Sequence, residues 1–191
     1  MNLLMKIGQL EPRLNNKNMA ILTTDIKFYL SGGAGNSDPD AALGGIISST
    51  AVVDDTLNNL FDDVTGTEHI AGNTNYRCIY VKNDSAETAS NVRIYIDTNT
   101  PAADTTINIG KDLAGAGDGS STGVADTIAD ESTAPDPAVT FSAAADYANA
   151  ILLGTMTAGQ VHAVWVKRIT SAGSTAQAND NAILKVSVDT L

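Results

Sequence analysis

At 191 residues the chain can bury a sizeable core, as one large sandwich or as two small domains. Charged residues make up 17%, below the roughly 25% of ordinary soluble domains, so small polar side chains stand in for charge on the surface. The formal net charge is −11, and the stretches between Lys27 and Arg77 and between Lys111 and Lys167 hold seven acids each and no base; that excludes the basic footprint of direct nucleic-acid binding and reads as solubility through self-repulsion.

Residues 1–18 carry Lys6, Arg13 and Lys17 against Glu11 alone, with Pro12 and an Asn-rich end. They lead into no sustained apolar region of a signal peptide, and nowhere does an apolar run approach the roughly 18 residues of a membrane helix. The expectation is a protein made and used without export by that route, with no membrane partner. Residues 1–19 read as an arm, either a partner-binding extension or the product of an upstream start codon, since Met19 would open a complete domain over 20–191. The run Ala20 to Leu30 begins the first strand. Gly32, Gly33 and Gly35 with Asp38-Pro39-Asp40 then supply positive φ and turn chemistry for a loop. Ile46-Ile47 and Asn58 to Asp62 read as short strand pieces between acidic corners.

Tyr76 to Asn83 and Asn91 to Asp97 have the β-branched and aromatic content and the period-two alternation of strands. The polar link Asp84 to Ser90 carries no helical stripe, so the two read as a central hairpin of neighbouring strands. The one cysteine, Cys78, excludes an intrachain disulfide. Its place between Arg77 and Ile79 suits a small buried apolar side chain rather than a reactive thiol.

Thr105 to Lys111 alternates Ile107 and Ile109 against Thr106 and Asn108, as a half-buried strand does. Residues 112–137 read as a long Gly/Asp/Ser-rich insertion around Gly115, Gly117, Gly119 and Gly123, and connections of that length are usually functional or mobile. Val139 to Ser142, Ile151 to Leu153, Gln160 to Thr170 and Ala182 to Asp189 bring the count to about eight to ten strands. Ala143 to Asn149 is a candidate helical turn too short to stand alone. The run from Gln160 to Arg168 is apolar on both faces, which predicts a mid-sheet strand with Trp165 packed in or near the core. The fold class is therefore all-β, a single antiparallel β-sandwich domain with long acidic loops and immunoglobulin-like or jelly-roll topology, without the Cys…Trp…Cys hallmark of antibody domains.

Catalytic chemistry finds little purchase. A hydrolase triad would need His69 or His162 near a nucleophile and an orienting acid, and the expectation is that neither Gly-x-Ser-x-Gly nor a family-specific cysteine signature is present, so both histidines are taken as structural. The Gly-rich segments at Gly32 and Gly115 match neither dinucleotide nor P-loop spacing, and Gly110-Lys111 lacks the upstream Gly and the following Ser/Thr. Carboxylates cluster at Asp38/Asp40, Asp54/Asp55, Asp62/Asp63 and Asp130/Glu131. Such corners can hold a hard cation such as Ca²⁺, against the plainer reading of solvated loop acids. Asp97-Thr98-Asn99 starts like a calcium loop but runs into Pro101 and offers no glycine for the tight turn. No catalytic, cofactor-binding or metal-ligating residue is assigned.

Phe28-Tyr29-Leu30-Ser31-Gly32-Gly33, Asn59-Leu60-Phe61-Asp62-Asp63-Val64-Thr65-Gly66, Tyr76 to Asn83, Thr98-Asn99-Thr100-Pro101 with Asp104-Thr105-Thr106-Ile107, and Ala158-Gly159-Gln160 with Val164-Trp165-Val166-Lys167-Arg168 resemble segments of small structural proteins encoded by tailed bacteriophages and prophages. The resemblance covers Ala20 to the C-terminus and carries no functional residues across. It implies an immunoglobulin-like or jelly-roll sandwich that works in the virion, assembled in the bacterial host cytoplasm. Foremost is a non-enzymatic capsid decoration (accessory or cement) subunit that forms a homo-oligomer and docks on the major capsid protein of the phage head. A tail, neck, baseplate or fibre component is the alternative. A carbohydrate-binding or adhesin-type sandwich is a second, and it would call on exposed aromatics among Tyr29, Tyr147 and Trp165.

Overall fold

The computed structural model describes residues 3–8, 21, 24–173 and 180–189. Among them the chain runs β1 (Leu3–Gly8), β2 (Ile26–Leu30), β3 (Gly44–Gly45), α1 (Gly66–Ala71), β4 (Asn73–Asn83), β5 (Ala89–Thr98), β6 (Thr105–Gly117), β7 (Ala125–Thr127), β8 (Ile151–Met156), β9 (Val161–Thr170) and β10 (Asp180–Asp189). The fold is an all-β sandwich. One sheet has the order β1-β10-β5-β8, a second has β2-β4-β9-β6, and β3 and β7 form a small third sheet. The pairings are antiparallel except that β1 runs parallel to β10. Part of the predicted arm is thus a strand of the first sheet, while residues 9–20 lie outside the described residues.

Both central strands form, but they are not a hairpin. β4 pairs with β2 and, over ten residue pairs, with β9; β5 lies in the other sheet between β10 and β8. The polar link carries the chain from one sheet to the other. It is held by buried Asn83, whose amide donates to the Glu87 carbonyl (2.7 Å) and the Met156 carbonyl (2.9 Å) while its oxygen accepts from Ser85 N (3.0 Å). Alternation tells which side chains share a face but is silent on which strand lies alongside. The run β4, β5, β6, β8, β9, β10 changes sheet at every step. That over-and-under course places β5 between β10 and β8 and β9 between β4 and β6.

The principal core lies between the sheets, where Ile79, Val81, Ile107, Ile109, Val164 and Val166 face Val92, Ile94, Ile96, Leu184, Val186 and Val188. A second core covers the opposite face of the β2-β4-β9-β6 sheet. There Tyr76, Cys78, Tyr80, Val161, Ala163 and Trp165 pack under Ala125, Ile128 and Val139. Both faces of β9 are therefore buried, as its sequence predicts, and Trp165 is fully buried in the outer core rather than between the sheets. The segment 112–137 is correspondingly more ordered than an open connection. β6 continues through a bulge to Gly117, which pairs with Val161, and β7 joins β3 to form part of the lid over this face. That junction needs glycine: Gly44 has φ +91°, and a Cβ there would fall 1.7 Å from the Asp126 carbonyl oxygen.

Three shorter expectations change. Asn58 to Asp62 is irregular rather than a strand, and its buried Leu60 and Phe61 plug the inter-sheet core. α1 follows directly, begun by a capping box in which Glu68 N donates to the Thr65 hydroxyl and Thr65 N to the Glu68 carboxylate. The strand pairing expected at Ile46-Ile47 falls on Gly44–Gly45, and Val139 to Ser142 contributes one bridge, Ser142 to Ile109. The candidate helical turn is realised as a 3₁₀ turn over Tyr147–Asn149.

Candidate functional site

Two buried polar clusters stand out, one at an end of the inter-sheet core and one beneath the outer lid. In the first, Arg77 of β4 and Arg168 of β9 point inward at alternation positions shared with Ile79 and Val166, with exposures of 1% and 0%. Phe61 lies between them, its ring centroid 5.5 Å from the Arg77 guanidinium carbon and 4.8 Å from that of Arg168. Arg77 Nη2 lies 2.9 Å from Asp40 and 2.5 Å from Glu131. Arg168 donates to the Asp62 carbonyl (2.6 Å) and to Asn75 Oδ1 (3.1 Å). Each guanidinium thus ties loops to the sandwich, and the buried charge is matched by carboxylates.

The second cluster centres on Asp112, 2% exposed, at the bulge in β6. Its Oδ1 accepts from Ala114 N and Gly115 N, both at 2.8 Å. Its Oδ2 accepts from Trp165 Nε1 (2.8 Å) and Asp126 N (3.2 Å). A cavity of about 320 Å³ opens beside it, lined by Asp112, Leu113, Val124, Asp126, Asp136 and Val139. Asp126 accepts from Asp136 N (3.0 Å), and Asp136 accepts from Ala138 N (2.7 Å). These carboxylates accept from backbone amides, which shapes the lid.

The candidate catalytic side chains are kept apart. His162 is buried on β9, and burial, with Lys111 nearby, pulls its pKa down to about 4. His69 sits in the last turn of α1, which follows on to Gly72 against Thr170 at the other end of β9. Cys78 is fully buried, and burial followed by the field of Asp112 pushes its thiol up, away from the reactive thiolate. Gly119-Ser120-Ser121-Thr122-Gly123 does have Gly-x-Ser-x-Gly spacing, contrary to the expectation that the chain lacks it. It forms bends around the Asp118 carboxylate, with no strand-to-helix elbow.

The acidic corners serve as local struts. Asp38 caps the turn at Pro39–Ala41, Asp40 and Glu131 meet Arg77, Asp62 meets Arg168, and Asp130 gathers Ser132 and Thr133. Asp97 pairs with Lys185 at 3.2 Å, and Asn99 exchanges bonds with the Ile107 backbone. Among the described residues no group of three or more His, Cys, Asp or Glu side chains is placed to hold a metal ion. Nor do Tyr29, Tyr147 and Trp165 form a shared platform. Tyr29 of β2 donates to Asp84 (2.6 Å), Tyr147 packs beneath Arg93 on the other sheet, and Trp165 is sealed.

Sequence reasoning does not reach the Arg77–Arg168 cluster or the Asp112–Trp165 bond. The inward parity of both arginines is readable from alternation, but their partners come from loops distant in sequence. No protein-family model and no curated protein matches the chain.

Proposed function

We propose that the protein is a non-enzymatic structural subunit of a phage virion, foremost a capsid decoration subunit that self-associates and docks on the head. The observation that carries the reading is how the buried polar groups are used. Arg77, Arg168, Asp112 and Asn83 all bind loops onto the sandwich, and a double-covered sheet forms its centre. Such bracing suits a subunit whose work is to present a fixed surface, and the resemblance of its segments to phage structural proteins supports the virion setting. A tail, neck, baseplate or fibre role would use the same bracing and differs only in where the subunit sits.

Cryo-electron microscopy of intact particles from the source phage tests this. The expected result is density for this sandwich at regular sites on the icosahedral shell. Density confined to the tail or neck would move the subunit there, and absence from the particle would overturn the virion reading.

A further inference from the structure

We propose that β1 pairs with β10 of a second copy of this chain, so that neighbouring protomers are joined by exchanged N-terminal strands. The inference rests on strand geometry and charge, and it is independent of where in a particle the subunit sits.

β1 is the outermost strand of its sheet, and its substantial contacts are with β10 alone. Six residue pairs form that ladder, from Leu3 opposite Asp180 to Gly8 opposite Lys185. A ladder of backbone bonds is made equally well by the same strand of another copy. The parallel direction means that β1 is not placed by a tight turn. It joins β2 through residues 9–25, seventeen residues by the strand limits, which extended would reach about 56 Å. A compact chain of this length has a radius of gyration of about 16 Å and so is about 40 Å across. The connection is long enough to reach the β10 of an adjacent copy, and exchange of an identical element is a low-cost route to assembly.

Charge is compatible with the exchange. Residues 1–18 hold three bases and one acid, a net of +2, leaving eight bases and 21 acids, −13, over the remainder, which together make the −11 of the chain. The segment 1–18, of which β1 itself holds only Lys6, is attracted to any acidic body, its neighbour's as well as its own. The other sheet edges are less open to such pairing. β2 is closed by residues 48–52 through Leu30 N to Thr50 O and Val52 N to Phe28 O, and β6 is bridged by Ser142. β8 has Gly154 at φ +105°. Without β1, β10 presents an unpaired edge along Asp180 to Lys185, the kind of template that recruits another strand.

The test uses two variants of the full chain that each add one cysteine, Lys6→Cys and Ile183→Cys, at positions paired in the ladder. Cys78 is fully buried and can stay. The variants, carrying tags of different mass, are co-expressed and oxidised, and the products are read by non-reducing electrophoresis and intact mass. Exchange predicts a covalent heterodimer, linked from position 6 of one chain to position 183 of the other. A double variant that closes only within single chains, with no heterodimer from the mixed singles, would overturn the proposal. So would the absence of both links, since β1 would then not pair with β10. Deleting residues 1–8 provides a check that needs no disulfide: light scattering should show the oligomer falling to a smaller mass, and an unchanged mass would overturn the proposal.

Discussion

Arg77 shows what a single inward charge does in this sandwich. Its guanidinium is buried while Asp40 and Glu131 keep access to water, so removing it leaves carboxylates that can rehydrate in part. Breaking a buried pair costs roughly 3–5 kcal/mol, and the partly hydrated partners put Arg77→Ala near the lower end, about 3 kcal/mol. Urea unfolding measures this, and a loss below about 1 kcal/mol would show the pair to be incidental. His162 makes a pH-dependent contribution. Its pKa is about 4 in the fold against 6.5 in the open chain, so the unfolded state binds a proton first as pH falls. Stability is therefore full above pH 6.5 and lost progressively from 6.5 down to about 4, by roughly 3 kcal/mol at most. His162→Gln should flatten that part of the melting-temperature profile, and a slope unchanged in the variant would assign it elsewhere. Asp84 acts lower on the scale. Burial pushes its carboxyl up, but bonds from Lys82, Tyr29 and Lys27 outweigh that and hold it below the usual range.

At the scale of elements, the outer lid depends on one carboxylate. Asp112 serves Trp165 and three backbone amides, so Asp112→Ala would leave four buried or half-buried donors to find water. Each unsatisfied donor costs roughly 1–3 kcal/mol when fully buried, and rehydration of the lid should limit the total to about 4 kcal/mol. The sole tryptophan reports this directly: its emission should shift red as the lid loosens, and unchanged emission with full stability would refute the role. Much of this layer was legible in part. Val161, Ala163 and Trp165 alternate against Val164 and Val166, and that doubly apolar pattern requires cover on both faces. The sequence could not say that residues 112–137 provide it, because a Gly/Asp/Ser-rich segment has no periodicity until its carboxylates meet amides. Thr65 and Glu68 had the spacing of a capping box, but a six-residue helix is too short for a periodic stripe.

For the whole molecule, the edges and the charge matter together. Bodies carrying −13 beyond the basic segment repel at long range, so close packing of copies needs short-range contacts that do not depend on charge. A six-residue backbone ladder is such a contact. Location in a particle and strand exchange are separate questions: cryo-electron microscopy answers the first and the cysteine pair the second. A subunit found on the tail could still exchange β1, and one on the shell could still keep it.

The order of residues is enough to establish that this is an all-β protein, that β4, β5, β6, β8, β9 and β10 exist, and which of their side chains share a face, because period-two alternation is a local property of an extended chain. It took the folded arrangement to place β4 and β5 in opposite sheets and to carry the chain across at each of these strands. The same holds for Arg77, Arg168 and Asp112, which find their partners in loops that are near them only after folding. Those choices depend on which surfaces meet across a long separation in sequence, and no local pattern of residues encodes them.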